Sequence, residues 1–270
     1  MGKTMTMWIE WSHVTKIYEF ETENKWARNI GLLDFSASVQ SGITVILGPR
    51  GAGKSTLLKI TAMMMLPDDG RVTFHTHHQT MDWSTGNVHA SRPEQLGELR
   101  RKIGYVPLVP RLDQEMTVEL ALFHLAQLYG TPDPRKRSCE MMIRWGLAGY
   151  RQTPLMKLRG GVLKRFLLAQ SLLLHPTFWI LDEPTRGLDL LGKQLLREEL
   201  QRQPKDRITI IATHDMQLAE CADYLMLLES GACRRLGKKK LLTAGVSEGT
   251  VAAWYQAMQV FSKEKSSFKV

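Results

Sequence analysis

Ile43-Thr44-Val45-Ile46-Leu47-Gly48-Pro49-Arg50-Gly51-Ala52-Gly53-Lys54-Ser55-Thr56 is the stretch whose reading decides the fold. Its last nine residues complete a G-x-x-x-x-G-K-[ST] loop. The glycines let backbone N–H groups turn inward onto phosphate oxygens. Lys54 supplies a point charge for the β- and γ-phosphates, and Ser55 offers a hydroxyl to Mg²⁺. Four fixed positions arise by chance in roughly one chain in a hundred of this length, with glycine near 7% of residues. The flanks lower that figure. Residues 43–47 are a short β-branched apolar run, and residues 55–60 continue with helical spacing. Strand, glycine loop and helix is the order the chemistry needs, because a helix N-terminus adds positive potential to an anion site. The expected ligand is a nucleoside triphosphate with Mg²⁺.

A second half of such a site stands at residues 178–183, Phe178-Trp179-Ile180-Leu181-Asp182-Glu183. A buried strand that ends on an acid places that acid at the carboxyl edge of the sheet, where ligands bind in open α/β folds. Asp182 is then a ligand of Mg²⁺, directly or through water, together with Ser55. Glu183, one residue on, is the candidate general base that polarises the attacking water. The run 208–212 repeats the arrangement and ends in Thr213-His214-Asp215. His214 is expected to contact the γ-phosphate or orient the water.

Further apolar runs at 103–106 and 224–228 complete a set of buried strands. Continuous rather than alternating apolarity points to a parallel sheet covered on both faces. Helical stretches at 118–129, 136–145, 163–174, 190–203 and 216–221 alternate with them, which indicates an α/β fold. The block 107–164 is mostly helical and reads as an inserted subdomain. Residues 71–92 are polar and turn-rich and suit small antiparallel strands with a loop. The tail after residue 260 is polar and is expected to be loosely ordered. His75, His77 and His78 lack an acid or cysteine at a ligand spacing, so a solvated strand or loop is the preferred reading over a metal site.

The chain has 270 residues, 43% of them apolar, enough for one large α/β domain. No run approaches the roughly 18 apolar residues of a membrane span. Cys139, Cys221 and Cys233 are far apart and odd in number, as expected of reduced thiols in a cytosolic compartment. The net charge of +9 is scattered, apart from residues 234–240. It suits an anionic membrane face better than nucleic acid, and no nucleic-acid partner is expected.

The order of motifs carries a family resemblance over roughly residues 8–240. After the phosphate loop and the helical insert come Leu158-Arg159-Gly160-Gly161, then Leu181-Asp182-Glu183-Pro184-Thr185, then Gly187-Leu188-Asp189, then Thr213-His214-Asp215. The chain resembles the ATP-binding subunit of an ABC transporter. The resemblance implies a P-loop NTPase core with a mostly parallel sheet, a small antiparallel β subdomain and an inserted helical subdomain at about 107–164. Residues 241–270 are then a C-terminal extension. It implies ATP with Mg²⁺ held between two head-to-tail subunits, in a homodimer or a heterodimer. The signature residues Arg159, Gly160 and Gly161 of one subunit close on the ATP of the other, and Asp189 couples the two sites. Tyr18 resembles the aromatic that stacks on adenine, a contact worth ~1–3 kcal/mol by analogy with nucleic-acid bases. Hydrolysis drives transmembrane permease subunits on separate chains, at the cytoplasmic face of the membrane. A shallow groove near residues 108–117 is expected to receive a permease helix.

Two positions depart from the family pattern. Leu108 stands where the family usually has glutamine, and leucine can neither bind Mg²⁺ nor hold a water. Arg159 stands where the family usually has serine. Losing one transition-state hydrogen bond commonly costs ~10²–10³ in rate, whereas an arginine on a transferring phosphoryl group can contribute ~10³–10⁵. Weak or partner-dependent hydrolysis is therefore expected. The alternative is a nucleotide-dependent switch that dimerises but hardly hydrolyses. A third reading, a soluble relative acting on DNA or ribosomes, lacks the second cassette or coiled-coil insert typical of such proteins.

Overall fold

The computed structural model describes residues 7–22, 25–77, 79–86, 93–110 and 115–267. Trp8–Thr22 (β1) and Lys25–Gln40 (β2) pair as a long antiparallel hairpin. Gly42–Leu47 (β3) leads through the phosphate loop into Lys54–Thr61 (α1). Asp69–His75 (β4), Thr80–Trp83 (β5), Pro93–Arg101 (α2) and Ile103–Val106 (β6) follow. The insert holds Val118–Leu128 (α3), Pro134–Arg144 (α4) and two short 3₁₀ turns. Gly160–Leu172 (α5) returns to Phe178–Asp182 (β7), followed by Leu190–Gln201 (α6) and Ile208–Ala212 (β8). Met216–Ala219 (α7), Tyr224–Glu229 (β9), Ala232–Lys238 (β10), Lys239–Thr243 (α8) and Val251–Ser267 (α9) close the chain.

Among the described residues the strands form two sheets, one of six in the order β10-β9-β3-β8-β7-β6 and one of four in the order β2-β1-β4-β5. Pairing in the first is parallel except for the edge pair β9–β10. Successive residues of its central strands enter different cores. Trp179, Leu181, Val45, Leu47, Ile211 and Leu225 face the helices α3 to α6 and α9. Phe178, Ile180, Ile46, Ile210 and Met226 face α1 and the antiparallel sheet, where Ile9, Trp11, Leu32, Phe35 and Phe74 meet them. Both faces being dry explains the unbroken apolar runs, and each fully buried Leu, Ile or Val contributes ~1.5–3 kcal/mol of transfer free energy. Local signals fix the insert helices. Thr117 caps α3 by accepting from the Leu120 N–H, and Asp133 caps α4 by accepting from the Lys136 N–H, with Pro134 next.

The structure corrects the sequence reading in three places. The antiparallel sheet is built mainly from β1 and β2, which the sequence reading does not contain. Register shifts after Trp11, Val14 and Lys16 break the two-residue alternation that would have shown them. The helix expected from residue 163 begins at Gly160, with Arg159 extended at its N-cap. The tail expected to be loose after residue 260 continues in α9 as far as Ser267. Upstream, Val251, Trp254 and Tyr255 bury themselves in the same core as Leu225. Expectations falling on His78 and residues 111–114 lie outside the described residues.

Candidate functional site

The phosphate loop follows the C-terminal end of β3 and passes directly into α1. Its shape depends on glycine. Gly53 has φ +100°, and a Cβ there would come 2.1 Å from the Gly31 carbonyl oxygen. Lys54, the first residue of α1, is only 7% exposed. Its Nζ donates to the carbonyls of Gly48 at 2.6 Å and Pro49 at 2.9 Å, and lies 3.3 Å from His214 Nε2. Burial lowers its pKa, and Glu183 and Asp182 oppose that shift.

Asp182 ends β7 beside Ala212 of β8 and is 1% exposed. Burial raises its pKa. Hydrogen bonding to the Ser55 hydroxyl pulls it down, the Glu183 charge adds to the rise, and Lys164 and Lys59 oppose it. Its Oδ2 finds no hydrogen-bond partner among the described residues. A buried carboxylate oxygen left open beside a serine hydroxyl fits a hard divalent cation, so Ser55 and Asp182 are suited to Mg²⁺.

Glu183 sits at φ +46°, an uncommon conformation for a residue with a side chain. Its N–H is anchored on the Ala212 carbonyl at 2.9 Å. Its Oε2 accepts from the Thr213 hydroxyl and from the His214 N–H, each at 3.3 Å. His214 Nε2 lies 3.7 Å from Oε1. Burial, Lys54 and Arg50 hold the imidazole below its ordinary pKa of 6.5 against the pull of Glu183, which favours the neutral ring. Tyr18 reaches the same place from β1, its hydroxyl 3.0 Å from Thr56 Oγ1.

These groups surround one cavity of about 500 Å³. Tyr18, Arg50, Gly51, Ala52, Gly53, Lys54, Ser55, Thr56, Asp182, Glu183 and His214 line it, with Leu108 on its wall. Gly48 and Pro49 contribute through the carbonyls that hold Lys54. Cationic amine, open carboxylate, second carboxylate and neutral imidazole around a polar cleft suit phosphoryl transfer to water.

Arg159, Gly160, Gly161 and Asp189 do not line this cavity. They form a separate constellation. A Cβ on Gly161 would fall 2.5 Å from the Asp189 carboxyl carbon. Asp189 caps α6 through the Gly192 N–H at 2.9 Å and pairs with Arg165 at 3.2 Å. Arg159 turns back on its own turn, donating to the carbonyls of Met156 and Leu158. The histidine cluster has a packing role at His75, which stacks on Trp8 with ring centroids 4.0 Å apart and bonds Thr80.

Sequence reasoning missed Asn29, Ile30, Gly31, Thr185 and Arg186, which also line the cavity. The first three are brought there by the Tyr18–Asn29 pairing of β1 with β2, which leaves no local mark. It also missed Lys164, 6% exposed, whose Nζ reaches the carbonyls of Pro107 and Asp182 at 3.4 and 3.5 Å. Burial brings its pKa down to about 8 despite Asp182 and Glu183. The signal was present in Lys164-Arg165, two cations set among the apolar residues Val162, Leu163, Phe166, Leu167 and Leu168 of one helix.

The family model described as ABC transporter matches residues 32–186. The ATP-binding/permease protein Rv1747 of Mycobacterium tuberculosis is 34% identical over 195 residues, covering 70% of this chain but 21% of that protein. The energy-coupling factor transporter ATP-binding protein EcfA2 of Halalkalibacterium halodurans is 32% identical over 227 residues, covering 81% of this chain and 78% of the relative. A solved structure of an ATP-binding subunit of an ABC transporter superposes with a TM-score of 0.74 at 22% identity, over 93% of this chain and 99% of its own. The chain thus belongs to the ABC transporter family, as an ATP-binding cassette that hydrolyses ATP to drive transport.

Proposed function

We propose that the cavity around Lys54 binds the triphosphate of ATP, with Ser55 and Asp182 holding Mg²⁺, Glu183 acting on the water and His214 steering it. The observation that supports this most is the convergence of Lys54, Asp182, Glu183 and His214 on one cleft. A Mg²⁺ ion held by Ser55 and Asp182 would supply positive charge to neutralise the phosphate oxygens. Lys54 exchanges its Gly48 and Pro49 carbonyl partners for phosphate oxygens. Glu183, fixed from Thr213 and the His214 N–H, accepts a proton from water, and neutral His214 donates toward the γ-phosphate. Tyr18 provides the adenine platform. Residues 8–240 form the cassette, with 107–164 as its helical subdomain and 241–270 as a C-terminal extension.

The second constellation, Arg159, Gly160, Gly161 and Asp189, serves the nucleotide of a second cassette packed head to tail. The partner that uses the work is a permease in the membrane, which the cassette meets on the cytoplasmic face. Among the described residues no helix is long and apolar enough to cross a membrane. A groove that suits a permease helix lies between α3 and α4, while part of the expected place near residues 108–117 falls outside the described residues. Leu120, Phe123, Met142 and Ile143 give it an apolar floor, and Glu119, Arg135 and Arg151 stand among the residues around it.

Glu183→Gln tests the assignment. It keeps the size and hydrogen bonding of the side chain and removes its basicity. Steady-state turnover should fall by at least ~10²-fold, within the range set for losing a general base, while a fluorescent ATP analogue still binds. Turnover preserved within about tenfold would remove Glu183 from that role.

A further inference from the structure

α5 carries two neighbouring cations that point to different places. Arg165 bonds the carbonyls of Trp145 and Gly146 at 2.9 and 2.7 Å and pairs with Asp189, so it ties the helical insert to the turn beside the signature residues. Lys164, one residue earlier, reaches the other way. Its ammonium is buried against the carbonyl of Pro107, the residue before Leu108, and against the carbonyl of Asp182. Both contacts are long for N–H···O bonds, and two acceptors leave one of its three donors over. As a structural prop this is a poor choice, because a methionine would fill the same volume without burying a charge. The Asp182 and Glu183 carboxylates act on this charge, and both belong to the reaction site.

We propose that Lys164 is a positioning residue for hydrolysis, holding the exits of β6 and β7 together so that the signature helix sets the angle of Asp182 and Glu183. The role rests on the nucleotide site described above. It is accentuated in this chain because Leu108, at the β6 exit, offers no polar side chain to do the same work. Lying against the Asp182 carbonyl, Lys164 also brings a positive charge that acts on the Asp182 carboxylate and so opposes metal binding.

The test compares Lys164→Met and Lys164→Arg with the wild-type chain in three measurements: steady-state hydrolysis, melting temperature, and the Mg²⁺ dependence of fluorescent ATP-analogue binding. Lys164→Met should lower kcat at least about tenfold, as misplacement of a reacting group does. It should melt no lower than wild type. It should reach half-saturation at about threefold or more lower Mg²⁺, because a positive charge that acts on the metal carboxylate is gone. Lys164→Arg should restore kcat and the Mg²⁺ midpoint to within about threefold of wild type, since it keeps the cation. A Lys164→Met chain with unchanged kcat, or one whose kcat falls only together with its melting temperature and with no shift in the Mg²⁺ midpoint, overturns the role. Active Glu183→Gln protein would instead overturn the underlying site, and the two failures are separate measurements.

Discussion

Leu108 and Arg159 stand where the family resemblance implies glutamine and serine, Leu108 on the cavity wall and Arg159 outside it. Leu108 lines the nucleotide cavity, so an apolar surface meets the place where a water or a metal ligand would be wanted. Arg159 commits its Nη1 to the carbonyls of Met156 and Leu158, which turns the side chain back on its own loop. The isolated chain should therefore turn over slowly. Leu108→Gln and Arg159→Ser should each raise kcat by about tenfold or more, a fraction of what one transition-state hydrogen bond is worth. Brisk hydrolysis by the wild-type chain, slowed by both changes, would show that these residues already suit the reaction. The departures themselves were legible in the sequence, because the surrounding motifs fixed positions 108 and 159. The direction taken by the Arg159 side chain was not, since it depends on a 3₁₀ turn at Leu155–Lys157 that carries no strong sequence signal.

At the level of elements, the strands with two dry faces were readable and the long hairpin of β1 and β2 was not. β7 is apolar up to Asp182, and β8 is apolar except for the buried Thr209, because α1 lies on one side and α5 and α6 on the other. β1 alternates only until its bulges, and β2 follows it. The terminal helix α9 has its apolar residues at Val251, Trp254, Tyr255 and Met258, a helical stripe that was there to be found before the polar tail obscured it. Trp254 is 3% exposed and packs into the core below the parallel sheet. Emptying that site should cost ~3–5 kcal/mol, the range for a buried tryptophan cut to alanine. Urea unfolding of Trp254→Ala should thus show a lower midpoint with an unchanged slope. A loss of less than about 1 kcal/mol, the scale of a surface change, would mean that α9 adds little to the fold.

For the whole molecule, the motif order was legible but the distances between motifs were not. Loop, insert, signature, acids and histidine could be read in sequence, and the resemblance implied that the signature residues serve another subunit; the structure adds that Arg159, Gly160, Gly161 and Asp189 stand outside the cavity of this chain. The second group is complete and faces outward with apolar neighbours. Leu190 follows Asp189 and is 86% exposed, and Leu191 and Met156 are exposed beside the same segment. Apolar side chains gathered around an unused constellation suit a surface that a second copy covers when nucleotide is bound. Glu183→Gln protein of 30.8 kDa, given Mg-ATP, should sediment as a dimer and without nucleotide as a monomer. Adding Leu190→Asp places a carboxylate on that apolar surface, and burying it under a second copy would cost its hydration. The double variant should stay monomeric with Mg-ATP while each chain still binds the nucleotide analogue. The surface is ruled out if the Leu190→Asp double variant still forms the dimer, or if dimers form equally well without nucleotide. In either case the contact between copies must lie elsewhere on the cassette.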